Sequence, residues 1–259
     1  MSALMAKEGA DVLVLERNAF PGGKAASFDR DGFVYDSGVH WLARGERGPL
    51  GEIATEAGAA LGFRSVKEGV QFRLGGRTVT LPTVMDDEDS MKAFFRELGV
   101  IPEAIPDAWA FFKDVMQEKS PPELDELDRV SLSTYVSRFV SDEQLDRLIE
   151  AFAGIYLVIG PRQSSAGEFI LCLSTHIREK SLSYPLGGMR AVPLAYLKET
   201  ENRGGEVRYS SPVQRIVVEG GRVRGVDADG FIAADIVISN TGIKETVELA
   251  GRGNLPDTY

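Results

Sequence analysis

The apolar run Val12–Leu15 ends on the carboxylate of Glu16, and a Pro21-Gly22-Gly23-Lys24 turn follows. An acid that closes a buried parallel strand is placed to accept hydrogen bonds from a vicinal diol. The acid at the end of the second strand of a dinucleotide-binding βαβ unit does this for the adenosine ribose. The same carboxylate reads equally well as a solvent-facing group that ends a strand. The glycine fingerprint that cradles phosphates on a helix N-terminus should lie about 20 residues before such an acid. Counting back from Glu16 runs past Met1. The expectation is therefore a cofactor site without its phosphate cradle, in a sheet that lacks a central strand and has an open edge.

Other chemistries have few residues to draw on. The chain has two histidines, His40 and His176, and one cysteine, Cys172. A zinc site has few candidate ligands in such a set, and no internal disulfide can form. Cys172 lies in the apolar stretch Phe169–Ser174, where a buried inert thiol is expected rather than a nucleophile. His40, in Asp36-Ser37-Gly38-Val39-His40-Trp41, reads either as a hydrogen-bonded structural histidine or as a proton-relaying one. His176 reads as structural. There is no paired-carboxylate arrangement and no Ser-His-Asp order. A formal net charge of -10 over 259 residues argues against a nucleic-acid partner. No apolar run approaches the about 20 residues of a membrane-spanning helix, and no signal peptide is seen.

These residues need elements to hold them. Residues 2–8 read as a helix stopped by Gly9, ahead of the Val/Leu strand. The lack of polar alternation in that strand fits a parallel strand covered on both faces. Residues 32–42 read as a strand and turn, and residues 70–82 as a hairpin about Gly75-Gly76. From Asp86 to about Leu173 apolar residues recur at helical spacing, with residues 121–129 read as an acidic connector. Ser141 and Gln144 have the spacing of a capping box. After Ser183 the βα character returns: a glycine turn, a helix ending at Gly204-Gly205, a short strand, then strands turning at Gly220-Gly221 and Asp229-Gly230. The expected fold class is α/β, a discontinuous domain of residues 1–66 and 183–259 split by a mostly helical α+β insertion over residues 67–182. Phe94, Phe95, Trp109, Phe111, Phe112, Phe152 and Tyr156 of the insertion are expected to be mainly core.

Four blocks carry a resemblance: AKEGADVLVLERNAFPGGKAASF, DGFVYDSGVHWL, YPLGGMRAVPLAYLKETENRGGEV, and SPVQRIVVEGGRVRGV with ADIVISNTG. Together, in this order, they resemble the FAD-dependent phytoene desaturase and amine oxidase superfamily, truncated at both ends. The resemblance implies a Rossmann-like FAD/NAD(P)-binding parallel sheet with a β-meander, incomplete in this chain, and an inserted substrate domain. It implies FAD as cofactor, with Glu16 on the adenosine ribose and Arg17 beside the adenine or ribose. Gly22 and Gly23 would let the backbone approach the cofactor, and Lys24 would stand near the pyrophosphate and flavin, if it is not a plain surface lysine. Val213 would pair with the adenine edge through its backbone, if it is not an ordinary strand valine. Gly38, His40 and Trp41 would come near the flavin, with His40 a weak catalytic candidate. Tyr184, Gly187, Gly188 and Met189 would line the flavin or substrate pocket. Ser239-Asn240-Thr241 would end a strand returning beneath the cofactor.

The implied activity is hydride transfer between flavin and a hydrophobic polyene or isoprenoid, in desaturation, saturation or isomerisation. The alternatives are an amine or porphyrinogen oxidase, and a non-catalytic fragment or one half of a split flavoprotein. The chain alone is expected to bind FAD weakly or not at all. The expected setting is the cytoplasm, with peripheral contact to a membrane and a companion chain supplying missing cofactor-site segments as further expectations.

Overall fold

The structure, a computed structural model, describes residues 1–39, 42–66, 70–179 and 182–256. In chain order, helix α1 (Ser2–Lys7) leads to strand β1 (Leu13–Leu15) and the hairpin β2 (Ser27–Arg30) and β3 (Phe33–Asp36). Strand β4 (Leu42–Ala43), helix α2 (Pro49–Ala57) and strand β5 (Phe63–Val66) precede a second hairpin, β6 (Gln71–Leu74) and β7 (Arg77–Thr80). Helices α3 (Glu88–Leu98), α4 (Ile105–Met116), α5 (Pro121–Leu127), α6 (Leu132–Val136), α7 (Glu143–Tyr156) and α8 (Ala166–Glu179) follow. Then come β8 (Leu182–Pro185), α9 (Ala191–Asn202), β9 (Glu206–Arg208), the meander β10 (Arg215–Glu219), β11 (Arg222–Asp227) and β12 (Phe231–Ala233), and α10 (Ile243–Ala250).

The chain divides into two compact units, one of Met1–His40, Pro49–Phe63 and Pro185–Tyr259, the other of Trp41–Gly48 and Arg64–Tyr184. The short segment around β4 joins the second unit because β4 pairs antiparallel with β8, Leu42 opposite Ser183 and Ala43 opposite Leu182.

In the first unit β1 and β9 are parallel, in the register Leu13–Glu206, Val14–Val207 and Leu15–Arg208. Helix α1 packs on α9 and α2. Its buried face is Ala3 and Ala6, small enough for close helix approach. The buried Thr200 hydroxyl of α9 bonds the Tyr196 carbonyl and the Ser2 hydroxyl, each at 2.9 Å. Ile216, Val226 and Ala250 form a small core that Leu15, Val213 and Val237 pack against. The β2–β3 hairpin, which the sequence reading saw only as its second strand, turns at Asp31 and Gly32, both at positive φ. An Asp-Gly pair is a favoured two-residue hairpin turn. The strand that the resemblance implied would end at Ser239-Asn240-Thr241 is not formed, and residues 234–240 join no sheet.

The second unit is built on a large apolar core from α3, α4, α6, α7 and α8, with the β6–β7 hairpin against it. Phe95, Phe111, Phe112 and Phe169 are fully buried, and Phe94, Trp109 and Phe152 nearly so. Tyr156 is half-buried. The connector at residues 121–129 is largely helical: Ser120 caps α5 with Pro121 in the first turn, and Glu123 closes the capping box. The cap of α7 is Asp142 rather than Ser141. The Asp142 carboxylate accepts from the Gln144 and Leu145 N–H groups at 2.9 and 3.0 Å, and from the distant Ile101 N–H at 3.1 Å. That last, long-range bond favours Asp142 over its neighbour.

His176 is buried on α8, its ring edge-on to Tyr156 at 6.2 Å. Burial lowers its pKa below the ordinary 6.5. As pH falls through about 6.5 the unfolded chain takes up a proton that the folded chain resists, so stability falls on the acid side. The loss of melting temperature from about pH 7 to pH 5 is expected to shrink in His176→Gln. An unchanged loss would remove His176 as its source.

Candidate functional site

The polar residues of the first unit gather at the C-terminal ends of β1 and β9. Glu16 follows β1 and continues its pairing. Its N–H donates to the Arg208 carbonyl, and its carbonyl accepts from the Ser211 N–H, both at 2.9 Å. The carboxylate is thereby fixed beyond the two parallel strands, where open α/β sheets bind ligands. Oε1 accepts from the backbone N–H and side-chain amide of Asn18, at 2.7 and 2.8 Å. Oε2 accepts no hydrogen bond among the described residues. Tyr209 stands nearby: burial, then the negative charges of Glu201 and Glu16, push its phenol pKa up. Val213 is half-buried and shares with Leu15 the core of Ile216, Val226 and Ala250. Glu16 and Val213 therefore belong to segments joined by the Ser211–Glu16 bond. Arg17 is exposed.

The glycines divide into two kinds. A Cβ on Gly22 would lie 2.9 Å from Pro193 Cγ at the start of α9, and one on Gly38 would lie 2.7 Å from the Lys24 carbonyl oxygen. At Gly188 it would meet Val34 Cγ1 at 2.7 Å and Ser27 Oγ at 2.9 Å. At these three positions the chain packs against itself, which is reason enough for glycine. Gly23 has nothing within 4 Å of the place its Cβ would take, so it is the one of this set with open space for another molecule. Lys24 beside it is exposed.

A polar network locks the Gly187-Gly188-Met189 turn to the β2–β3 hairpin. Asp36 Oδ1 accepts from the Ser27 hydroxyl at 2.6 Å and from the Met189 N–H at 2.9 Å. Ser27 Oγ in turn accepts from the Arg190 N–H at 3.0 Å. The Arg190 guanidinium grips Asp29 with two bonds, 2.5 and 2.8 Å, and holds its carboxyl below the usual carboxylate range. Ser27 and Asp29 share one face of β2 with Val34 and Asp36 opposite them on β3. The sequence reading missed Ser27, Asp29 and Arg190. The signal was there: period-two spacing on β2 and an arginine directly after Gly-Gly-Met.

Met189, expected to line a pocket, is 2% exposed beneath this turn. Tyr184 lies on β8, half-buried, in the second unit. Ser239 and Thr241 turn their hydroxyls to Thr246 on α10, at 2.7 and 2.9 Å, rather than ending a paired strand. His40 and Trp41 lie outside the described residues. Cys172 is half-exposed on α8 in the second unit, and burial pushes its thiol pKa up, which suits an inert thiol.

The site as described offers an engaged carboxylate with one open oxygen, an unobstructed glycine backbone and an exposed lysine. That set suits a ligand carrying hydroxyls and negative charge. The chain is 27% identical to the zeta-carotene-forming phytoene desaturase of Myxococcus xanthus, over 95% of this chain and 52% of the relative. It is 24% identical to an inactive all-trans-retinol 13,14-reductase of Danio rerio, over 95% and 46%. To the chloroplastic prolycopene isomerase of Daucus carota it is 26% identical, over 91% and 43%. The chain thus spans about half the length of these curated relatives. Its fold matches a crystallised oxidoreductase from Methanosarcina mazei with a TM-score of 0.78 at 22% identity, over 97% of this chain and 58% of that one. The model of the flavin containing amine oxidoreductase family matches residues 3–246, and the chain belongs to that family of flavin-dependent oxidoreductases.

Proposed function

We propose that the first unit holds the adenosine end of FAD, in an oxidoreductase that moves hydride between the flavin and a hydrophobic polyene or isoprenoid. The observation that carries this is the Glu16 carboxylate, fixed beyond two parallel strands with Oε2 open. Bound there, the flavin supplies the redox chemistry, accepting or returning a hydride. The residues of the chain bind and orient. Glu16 accepts from the ribose hydroxyls through Oε2 while Asn18 holds Oε1. The Gly23 backbone admits the pyrophosphate, and Lys24 balances its charge. Val213 offers backbone groups to the adenine edge, with Arg17 beside it. Gly38 belongs to the flavin's approach. Gly187 and Gly188 belong to its surroundings, and the buried Met189 supports the turn from below.

The polyene reading is supported by the relatives that bear carotenoid and retinoid names. Nothing in the described residues favours an amine over it. Contact with a membrane surface would suit so apolar a substrate, although no helix among the described residues is long and apolar enough to cross a membrane.

Flavin fluorescence quenching tests the reading. Weak, saturable FAD binding is expected for this chain. Glu16→Ala should weaken it about ten- to a hundredfold, the range of a hydrogen bond to a charged group. Equal affinity in the variant would show that Glu16 holds no ribose here.

A further inference from the structure

A cleft in the second unit carries charges that the chain itself leaves unmatched. It lies between α6, the connector after it, α7 and the loop at residues 160–163, and has a volume of about 590 Å³. Cavities of this size hold small molecules. The loop is fixed in place. The Ser133 N–H of α6 donates to the Pro161 carbonyl at 3.0 Å, and the Gly160 carbonyl accepts from the Gln163 and Ser164 N–H groups at 2.9 and 3.0 Å. The aliphatic part of the lining, Val136, Val140 and Ile149, is buried.

Three charged side chains share this lining: Asp146, Glu150 and Arg162. Asp146 and Glu150 stand four residues apart on one face of α7, a spacing at which like charges repel. Although Asp146 as a whole residue is exposed, partial burial of its carboxyl, then the negative charge of Asp142, push its pKa up. Among the described residues the side chains of Asp146, Glu150 and Arg162 make no hydrogen bond or ion pair, with each other or with anything else. The arginines of α7 and of the connector before it are engaged elsewhere: Arg147 pairs with Glu143 at 2.6 Å, and Arg138 lies over the Tyr135 ring at 5.7 Å.

The cleft thus presents two negative charges and one positive beside an aliphatic wall. A metal ion fits it poorly, since among the described residues no three His, Cys, Asp or Glu side chains gather to hold one. A small organic molecule with two positive charges, one negative charge and a methylene stem matches every part. We infer that this cleft binds a basic amino acid, its two ammonium groups on Asp146 and Glu150, its carboxylate on Arg162 and its methylenes against Val136, Val140 and Ile149. A guanidinium takes a carboxylate through two parallel hydrogen bonds. The two ammonium groups relieve the repulsion along α7. A neutral amino acid leaves one acid unmatched, and a diamine leaves Arg162 unmatched.

Isothermal titration calorimetry with L-lysine tests this, with norleucine and cadaverine as probes that each lack one charged end. Saturable lysine binding is expected, with norleucine and cadaverine each weaker by about fivefold, the upper range for one exposed ion pair. Glu150→Gln should weaken lysine by a similar factor. Arg162→Gln should weaken lysine and leave cadaverine unchanged. Glu150 and Arg162 are exposed, so both variants should keep the native melting temperature. No saturable lysine binding, equal affinity for norleucine or cadaverine, or equal lysine affinity in either variant overturns the proposal. The cleft lies wholly in the second unit, so Glu16→Ala should leave lysine affinity unchanged whatever it does to flavin binding. A loss of lysine affinity in Glu16→Ala would place the amino acid in the first unit and overturn the proposal.

Discussion

Gly188→Ala is expected to lower the unfolding free energy by about 2–5 kcal/mol, as the sum of a backbone and a packing cost. Gly188 sits at φ +85°, and a side chain in that left-handed region costs about 1–2 kcal/mol. The new methyl would lie 2.7 Å from Val34 Cγ1, 2.9 Å from Ser27 Oγ and 3.3 Å from Asp36 Oδ1. The two oxygens cannot retreat cheaply. The Ser27 hydroxyl donates to Asp36 while accepting from Arg190, and Asp36 also holds the Met189 N–H. Moving either group leaves a part-buried donor without a partner, at about 1–3 kcal/mol. Gly187→Ala is the control. Its φ is +93°, but the nearest atom to its Cβ position is Ala191 Cβ at 3.7 Å, so only the backbone cost of about 1–2 kcal/mol applies. Denaturant unfolding of both variants checks the contrast. Equal losses would mean that the turn yields and the network does not hold it. Because the turn anchors the hairpin to the start of α9, Gly188→Ala should also weaken flavin binding where Gly187→Ala does so less.

Phe112→Ala is expected to cost about 3–5 kcal/mol, the range for deleting a fully buried aromatic ring. Phe112 is fully buried, with the rings of Phe95 and Phe111 each centred 5.4 Å away. These two rings lie on α3 and α4, which pack together, so collapse into the hole would have to move at least two helices. Phe112→Leu keeps most of the volume and should cost about 1.5 kcal/mol or less. Urea unfolding followed by tryptophan fluorescence measures both, since Trp109 lies one turn away on α4. A loss below about 1 kcal/mol for Phe112→Ala would show a core loose enough to refill the space.

Legibility in the sequence followed the range of the interaction that decides each feature. The β6–β7 hairpin was readable because Gly75-Gly76 alone sets its turn and the flanking residues alternate. The stop of α1 near Gly9 was readable for the same local reason. The connector that proved to be α5 was misread through its acidity, although Ser120, Pro121 and Glu123 together spell a helix start. The α7 cap was placed one residue early because the Ile101 N–H, supplied from far along the chain, cannot be seen from the local spacing.

The candidate site shows the same division. The sequence by itself determined that an apolar strand ends on Glu16, that glycines crowd the turn after it, and that a helix-rich segment interrupts the α/β pattern. Residue type and spacing suffice for these, because they act through neighbouring backbone. Tertiary structure alone decided which glycines are used up in packing, since Pro193, Lys24 and Val34 approach them from other elements. It alone joined Asp36 to Met189 and placed Ser211 on Glu16. It also left residues 235–239 unpaired, because a strand needs a partner as well as a pattern, and hydrogen bonds between strands depend on what lies alongside.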